Sequence, residues 1–158
     1  MKATRLLTAL IVITIFGIAA TAQNQPIRWR TTAKMTSPTE GILTVRAIIS
    51  DGWHLYDMTL PKGGPVPTTL DFSKSTGIKW LGQFKASSKP VSSHDASFDM
   101  TLRWWKKDVI FTRQFRLTGD VSDASIDGII NYMACNGSTC NPPKKQTVKL
   151  KVKAYQSK

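Results

Sequence analysis

A two-residue alternation of apolar and polar side chains runs through this chain from Ile27 to Ala154, and it constrains the fold more than any other feature. Ile27, Trp29, Thr31, Ala33 and Met35 share one side of an extended segment, with Arg28, Arg30, Thr32 and Lys34 on the other. Leu43, Val45, Ala47 and Ile49 repeat the pattern. So do Phe98, Met100, Leu102 and Trp104, and then Val109, Phe111, Phe115 and Leu117, with Arg113 as an intruder. Ile126, Ile130, Tyr132 and Ala134 make another face. Val148, Leu150, Val152 and Ala154 make the last, against Lys149, Lys151 and Lys153. Period two is the mark of strands that bury one face. No window of useful length carries a helical stripe. Turn signals separate the runs at Ser37-Pro38, Asp51-Gly52, Pro61 to Pro67, Lys106 to Asp108, Gly119-Asp120 and Asn136-Gly137. Many short strands so punctuated predict one all-β domain of about seven to nine strands.

The first residues stand apart. Lys2 and Arg5 precede an uncharged run from Leu6 to Ala20, and Ala20-Thr21-Ala22 supplies small residues at a cleavage position. This is the layout of a secretory signal peptide over residues 1–22, with the domain spanning 23–158. The run is too short for a good membrane span, which needs about 20 apolar residues. Export places the only two cysteines, Cys135 and Cys140, where a disulfide persists. The formal net charge is +12. Basic character of this size suggests nucleic acid, but an exported chain with its charge spread over most strands argues against it. Attraction to acidic partners or anionic surfaces is the functional alternative to a merely solvated basic surface.

The segment from Tyr132 to Pro143 carries the most chemistry. Cys135 ends a predicted strand, Asn136-Gly137 opens a tight turn through residues that tolerate positive φ, and Cys140 follows. The cysteines therefore flank a four-residue loop and fall within reach of the roughly 4.4–6.8 Å Cα separation of a disulfide. Pro142-Pro143 cannot donate backbone hydrogen bonds, which leaves the loop at an edge. Two functions stay open on this chemistry. One is a redox-active pair. The other is a structural bridge bracing a non-catalytic binding module. A loop of about six residues gains only about 2 kcal/mol from closure, against nearly 5 for a loop of about 100, which weakens the purely structural case. The pair is not a thioredoxin motif, because four residues intervene and no helix lowers a thiol pKa. Lys144 and Lys145 lie close enough in sequence to favour a thiolate. His54 and His94 would complete a four-ligand zinc set with the cysteines, but they lack ligand spacing. His54 is expected on a strand surface and His94 in a loop. No metal or other cofactor is expected.

Two stretches resemble one known family. Tyr132, Cys135, Gly137, Cys140, Pro142-Pro143 and Thr147-Val148-Lys149-Leu150, together with Asp51-Gly52-Trp53-His54-Leu55-Tyr56, are similar to the N-terminal domain of the thiol:disulfide interchange protein DsbD, the disulfide bond corrector family. The spacing departs from the family pattern, with four residues between the cysteines where five are familiar. The resemblance implies a periplasmic immunoglobulin-like β-sandwich of two antiparallel sheets. It implies a protein-disulfide reductase module, with Cys140 as the interchanging thiol and Cys135 as the resolving one. A thioredoxin-like domain or protein would supply electrons, with a separate membrane electron transporter behind it. Oxidised exported thiol proteins would accept them. A cap loop is also implied over Ser92 to Phe98, with Phe98 as the shield and Asp95 as a nearby acid. Phe98 is equally open to an ordinary core role. Trp53 and Tyr56 either line the cysteine site or fill the sandwich.

Overall fold

The structure, a computed structural model, describes residues 25–157. The segment read as a signal peptide lies outside the described residues. Among the described residues there are eleven strands: β1 (Ile27–Met35), β2 (Glu40–Ile49), β3 (His54–Tyr56), β4 (Thr69–Asp71), β5 (Ile78–Ala86), β6 (Val91–Asp95), β7 (Met100–Trp105), β8 (Val109–Leu117), β9 (Ser125–Tyr132), β10 (Ala134–Cys135) and β11 (Lys144–Lys151). They form three antiparallel ladders, β1-β2-β8-β5, β10-β3-β7-β6 and β11-β9-β4. The count exceeds the expected seven to nine because β3, β4 and β10 are only two or three residues long.

Two layers result. β9 runs on through Met133 into β10, so the second and third ladders adjoin. The first ladder packs against both: Trp29 lies 5.3 Å from Tyr132 of β9, and Phe111 lies 5.2 Å from Trp105 of β7. One face of each ladder enters a shared core of Ile27, Leu43, Val45, Leu55, Phe111, Ile126 and Ile130, among others. This is an immunoglobulin-like β-sandwich, and its antiparallel strands carry the alternation onto the core as expected. Burial along β2 is regular, with Leu43, Val45, Ala47 and Ile49 all inside.

The intruder in β8 has a physical explanation. The Arg113 guanidinium lies over the rings of Trp80 and Phe84, 5.2 and 5.6 Å from their centres. A cation over aromatic faces tolerates a half-buried position that a bare charge would not. The gap at residue 128 is explained too. Gly128 occupies an inward position of β9, and a Cβ there would meet the Phe72 ring at 2.4 Å. Phe72 fills the space that an alternating apolar residue would have taken.

The passage from β9 to β10 sets up the site. β11 pairs with β9 up to Lys144 opposite Tyr132. Beyond that point its chain is Pro142-Pro143, which has no N–H to offer. The next residues after Met133 pair with β3 instead, Ala134 opposite Leu55 and Cys135 opposite His54.

Candidate functional site

Register decides which side chains meet at the cysteines. Residues paired across an antiparallel ladder point to the same side, and alternate residues along a strand share it. Leu55, Trp105 and Ala134 therefore face the main core. The opposite side of the same ladder carries His54 and Cys135, paired with each other, and Tyr56 paired with Trp104. Leu102, Met100 and Asp95 continue it, Asp95 lying opposite Met100. Tyr56, Leu102, Trp104 and Cys135 form a second buried cluster, against which Phe98, Met100, Met133 and Cys140 pack. The cysteine pair thus belongs to a small apolar patch on the outside of the sandwich, separate from the main core.

Cys135 and Cys140 are joined by a disulfide, with Cα atoms 4.1 Å apart, slightly closer than the sequence reading expected. The loop between them is a tight hairpin. The Asn136 N–H donates to Thr139 O at 3.0 Å, and the Asn141 N–H to Ala134 O at 2.9 Å. Asn136 works through its side chain rather than through positive φ. Its Oδ1 accepts the N–H groups of Ser138 and Thr139 at 3.0 and 2.8 Å, while Gly137 alone in the turn takes positive φ, at 87°. Asn136 to Thr139 are exposed, Cys140 is half-buried and Cys135 is fully buried. An attacking thiolate therefore meets Cys140 first.

A second hairpin, β6 to β7, closes over the patch. Its turn is Ala96 to Asp99, with Asp99 at φ 50°. Asp95 ends β6 rather than lying in a loop, and it is buried. Its Oδ1 accepts the N–H groups of Ser97 and Phe98 at 2.9 and 3.3 Å, the same arrangement as at Asn136. Its Oδ2 accepts the Tyr56 hydroxyl at 2.6 Å. Burial, then that bond and the nearby carboxylate charge, raise the Tyr56 pKa far above its usual value, so the phenol stays a donor. Phe98 sits in the turn and does not begin the β7 alternation. Its half-buried ring meets Tyr56 edge-on at 6.0 Å. The carboxylate thus ties the turn that bears Phe98 to the strand beside Cys135.

His54 departs most from expectation. Polarity placed it on a surface, yet it is 7% exposed, between Tyr56 at 5.0 Å and Trp104 at 4.8 Å. Its Nε2 lies 3.6 Å from Asp95 Oδ2, too long for a hydrogen bond, and has no other partner. Burial lowers its pKa more than the Asp95 carboxylate raises it. His94 lies on β6, not in a loop, and is exposed beside Asp99 at 3.4 Å. No group of three or more His, Cys, Asp or Glu residues able to hold a metal occurs among the described residues. Lys144 and Lys145 border a different cleft, beside Val66 and Pro67. Trp53 packs on the main core and lines a cleft of about 340 Å³ with His54, Asp95, Trp104, Lys106, Asn136 and Gly137.

Fold and site define a class: an immunoglobulin-like sandwich carrying a disulfide in a hairpin, half-covered by a second hairpin. The chain belongs to the family described as thiol:disulfide interchange protein DsbD, N-terminal, whose profile matches residues 23–152. Among solved structures it is similar to the N-terminal periplasmic domain of ScsB from Proteus mirabilis, with a TM-score of 0.59 and 17% identity. That likeness covers 82% of this chain and 48% of that one, so the chain spans about half its length. A yeast GAE domain gives a TM-score of 0.39 at 13% identity, over 82% of this chain and 96% of that one. A search of the curated proteins finds no match. Family membership and a cysteine pair at bonding distance fit thiol–disulfide exchange with other thiol proteins.

Proposed function

We propose that this domain is a periplasmic protein-disulfide reductase module, exported by a signal peptide over residues 1–22 and working as the domain 23–158. In its reduced form, the Cys140 thiolate attacks a disulfide of an oxidised exported protein. One sulfur of that protein leaves as a thiol and the other stays bonded to Cys140. The Cys135 thiolate then attacks Cys140 Sγ, closing the internal disulfide and releasing the second thiol. Two electrons pass to the substrate, and a thioredoxin-like donor restores the dithiol by the reverse chemistry. A separate membrane transporter would feed that donor.

The difference in burial across a short bridge carries this reading: Cys140 half-buried at the end of an exposed hairpin, Cys135 fully buried behind it. That asymmetry suits one cysteine to bond a partner and the other to resolve the adduct. Phe98 then acts as a shield, held by Asp95, while Tyr56 borders the pair and Trp53 lines the cleft beside its hairpin. The test mixes reduced single-cysteine variants with a thioredoxin-like partner whose resolving cysteine is removed and whose remaining cysteine is held as a mixed disulfide with thionitrobenzoate, so that each trapping event releases thionitrobenzoate. Cys135→Ser should trap a mixed disulfide through Cys140, and Cys140→Ser should trap none. Equal trapping by both variants would reverse or dissolve the assigned roles.

A further inference from the structure

The roles assigned to the cysteines leave one step without a named agent. Cys135 must lose its proton before it can attack Cys140, and a fully buried thiol ionises poorly. We propose that His54 is the base that takes this proton, with Asp95 positioning it and steadying the imidazolium that forms; this rests on the interchange reading above.

The geometry supplies three parts of the argument. First, His54 is the cross-strand partner of Cys135, so the two side chains leave the ladder on the same side. The pairing is backbone, and residues directly opposite in an antiparallel ladder have Cβ atoms about 4.5–5.5 Å apart. Second, the ring is buried but uncommitted: Nε2 has no hydrogen-bond partner, an arrangement that costs stability unless something uses it. Third, the ring has a route to solvent. It lines the cleft whose rim includes His94, Lys106 and the Asn136-Gly137 turn.

The groups facing His54 set its protonation. Tyr56 of the same strand and Trp104 of β7 enclose the ring, Asp95 of β6 lies 3.6 Å away, and Lys106 adds an opposing positive charge. Burial dominates, so the pKa lies below the ordinary 6.5 and the ring is neutral at pH 7. A neutral ring can accept a proton, and the carboxylate nearby favours the cation once formed. In the adduct, the Cys135 proton passes to the imidazole and the Cys135–Cys140 bond forms. The bond from Cys140 to the partner sulfur breaks, and that sulfur departs with the electron pair. The imidazolium then gives up its proton to the leaving thiolate or to water.

Reaction of the reduced protein with dithiobis(nitrobenzoate) separates the steps. The first thionitrobenzoate is released as Cys140 forms the adduct, in a phase that depends on reagent concentration. The second is released as Cys135 closes the bridge, in a phase that does not. His54→Gln should slow the second phase at pH 7 at least about tenfold, with the first phase changed by less than about threefold. The wild-type second phase should also fall with an inflection below pH 6.5, absent from the variant. An unchanged second phase in a folded variant overturns the role of His54 while leaving interchange standing. If the variant does not fold, the wild-type profile decides. An inflection below 6.5 supports the proposal, and a single rise tracking thiol ionisation near pH 8.5 overturns it. Absence of any second phase in the wild type removes the interchange reading and this proposal together.

Discussion

Asp95 makes more of the site than any other single residue. One oxygen fixes the turn that carries Phe98, and the other fixes Tyr56, which lies on the same strand as His54 and the same side as Cys135. Phe98 is therefore placed by a hydrogen-bonded frame as well as by its packing on the second buried cluster. Removing its ring should open the patch more than it destabilises the fold, because the ring is only half-buried. Phe98→Ala is expected to speed reduction of the Cys135–Cys140 bridge by dithiothreitol several-fold, followed by thiol labelling over time. An unchanged rate would show that Phe98 does not shield the disulfide.

At the scale of elements, the sequence was most legible where strands are long and bury one face. β1, β2, β8 and β11 follow the alternation read from their residues. β5 shows no clear alternation in sequence, because it lies at a ladder edge with a register shift between Leu81 and Lys85 that breaks the period. β3 and β10 are too short to define a period of their own, so the sequence places His54 on a strand and Cys135 at a strand end without showing which side each faces. The site lies on those two strands, which is why His54 was misplaced. Its burial depends on register with Cys135 and on Trp104, far along the chain. The cysteine loop itself was legible from Asn136-Gly137 and Pro142-Pro143, whereas Asp95 and Phe98 came from family resemblance alone. Local pattern also hid the reason for Gly128. A methyl there would press on Phe72 and on Asp71 O at 2.7 Å. Gly128→Ala should destabilise the domain by about 1–3 kcal/mol, read as a lower denaturant midpoint with an unchanged slope. No loss of stability would mean that β9 and Phe72 separate at little cost.

The described residues form a two-layer frame with the cysteine pair on an outer face. The main core contains neither cysteine, and the bridge closes a loop of about six residues that contributes only about 2 kcal/mol. Opening the bridge need not unfold the sandwich, which a relay that cycles between dithiol and disulfide requires. With only four residues between them, the two cysteines are brought together by a hairpin braced by the Asn136 side chain. The lysines of β11 are directed outward, Lys149 and Lys151 flanking Leu150. The central claim is that the bridge exchanges electrons, and its equilibrium tests that most directly. The reduction potential of the Cys135–Cys140 pair, measured by equilibration with glutathione or dithiothreitol and thiol trapping, should fall between roughly −270 and −120 mV, the range from thioredoxin to the strongly oxidising periplasmic catalysts. A value below about −300 mV would mark a structural bridge and contradict the account.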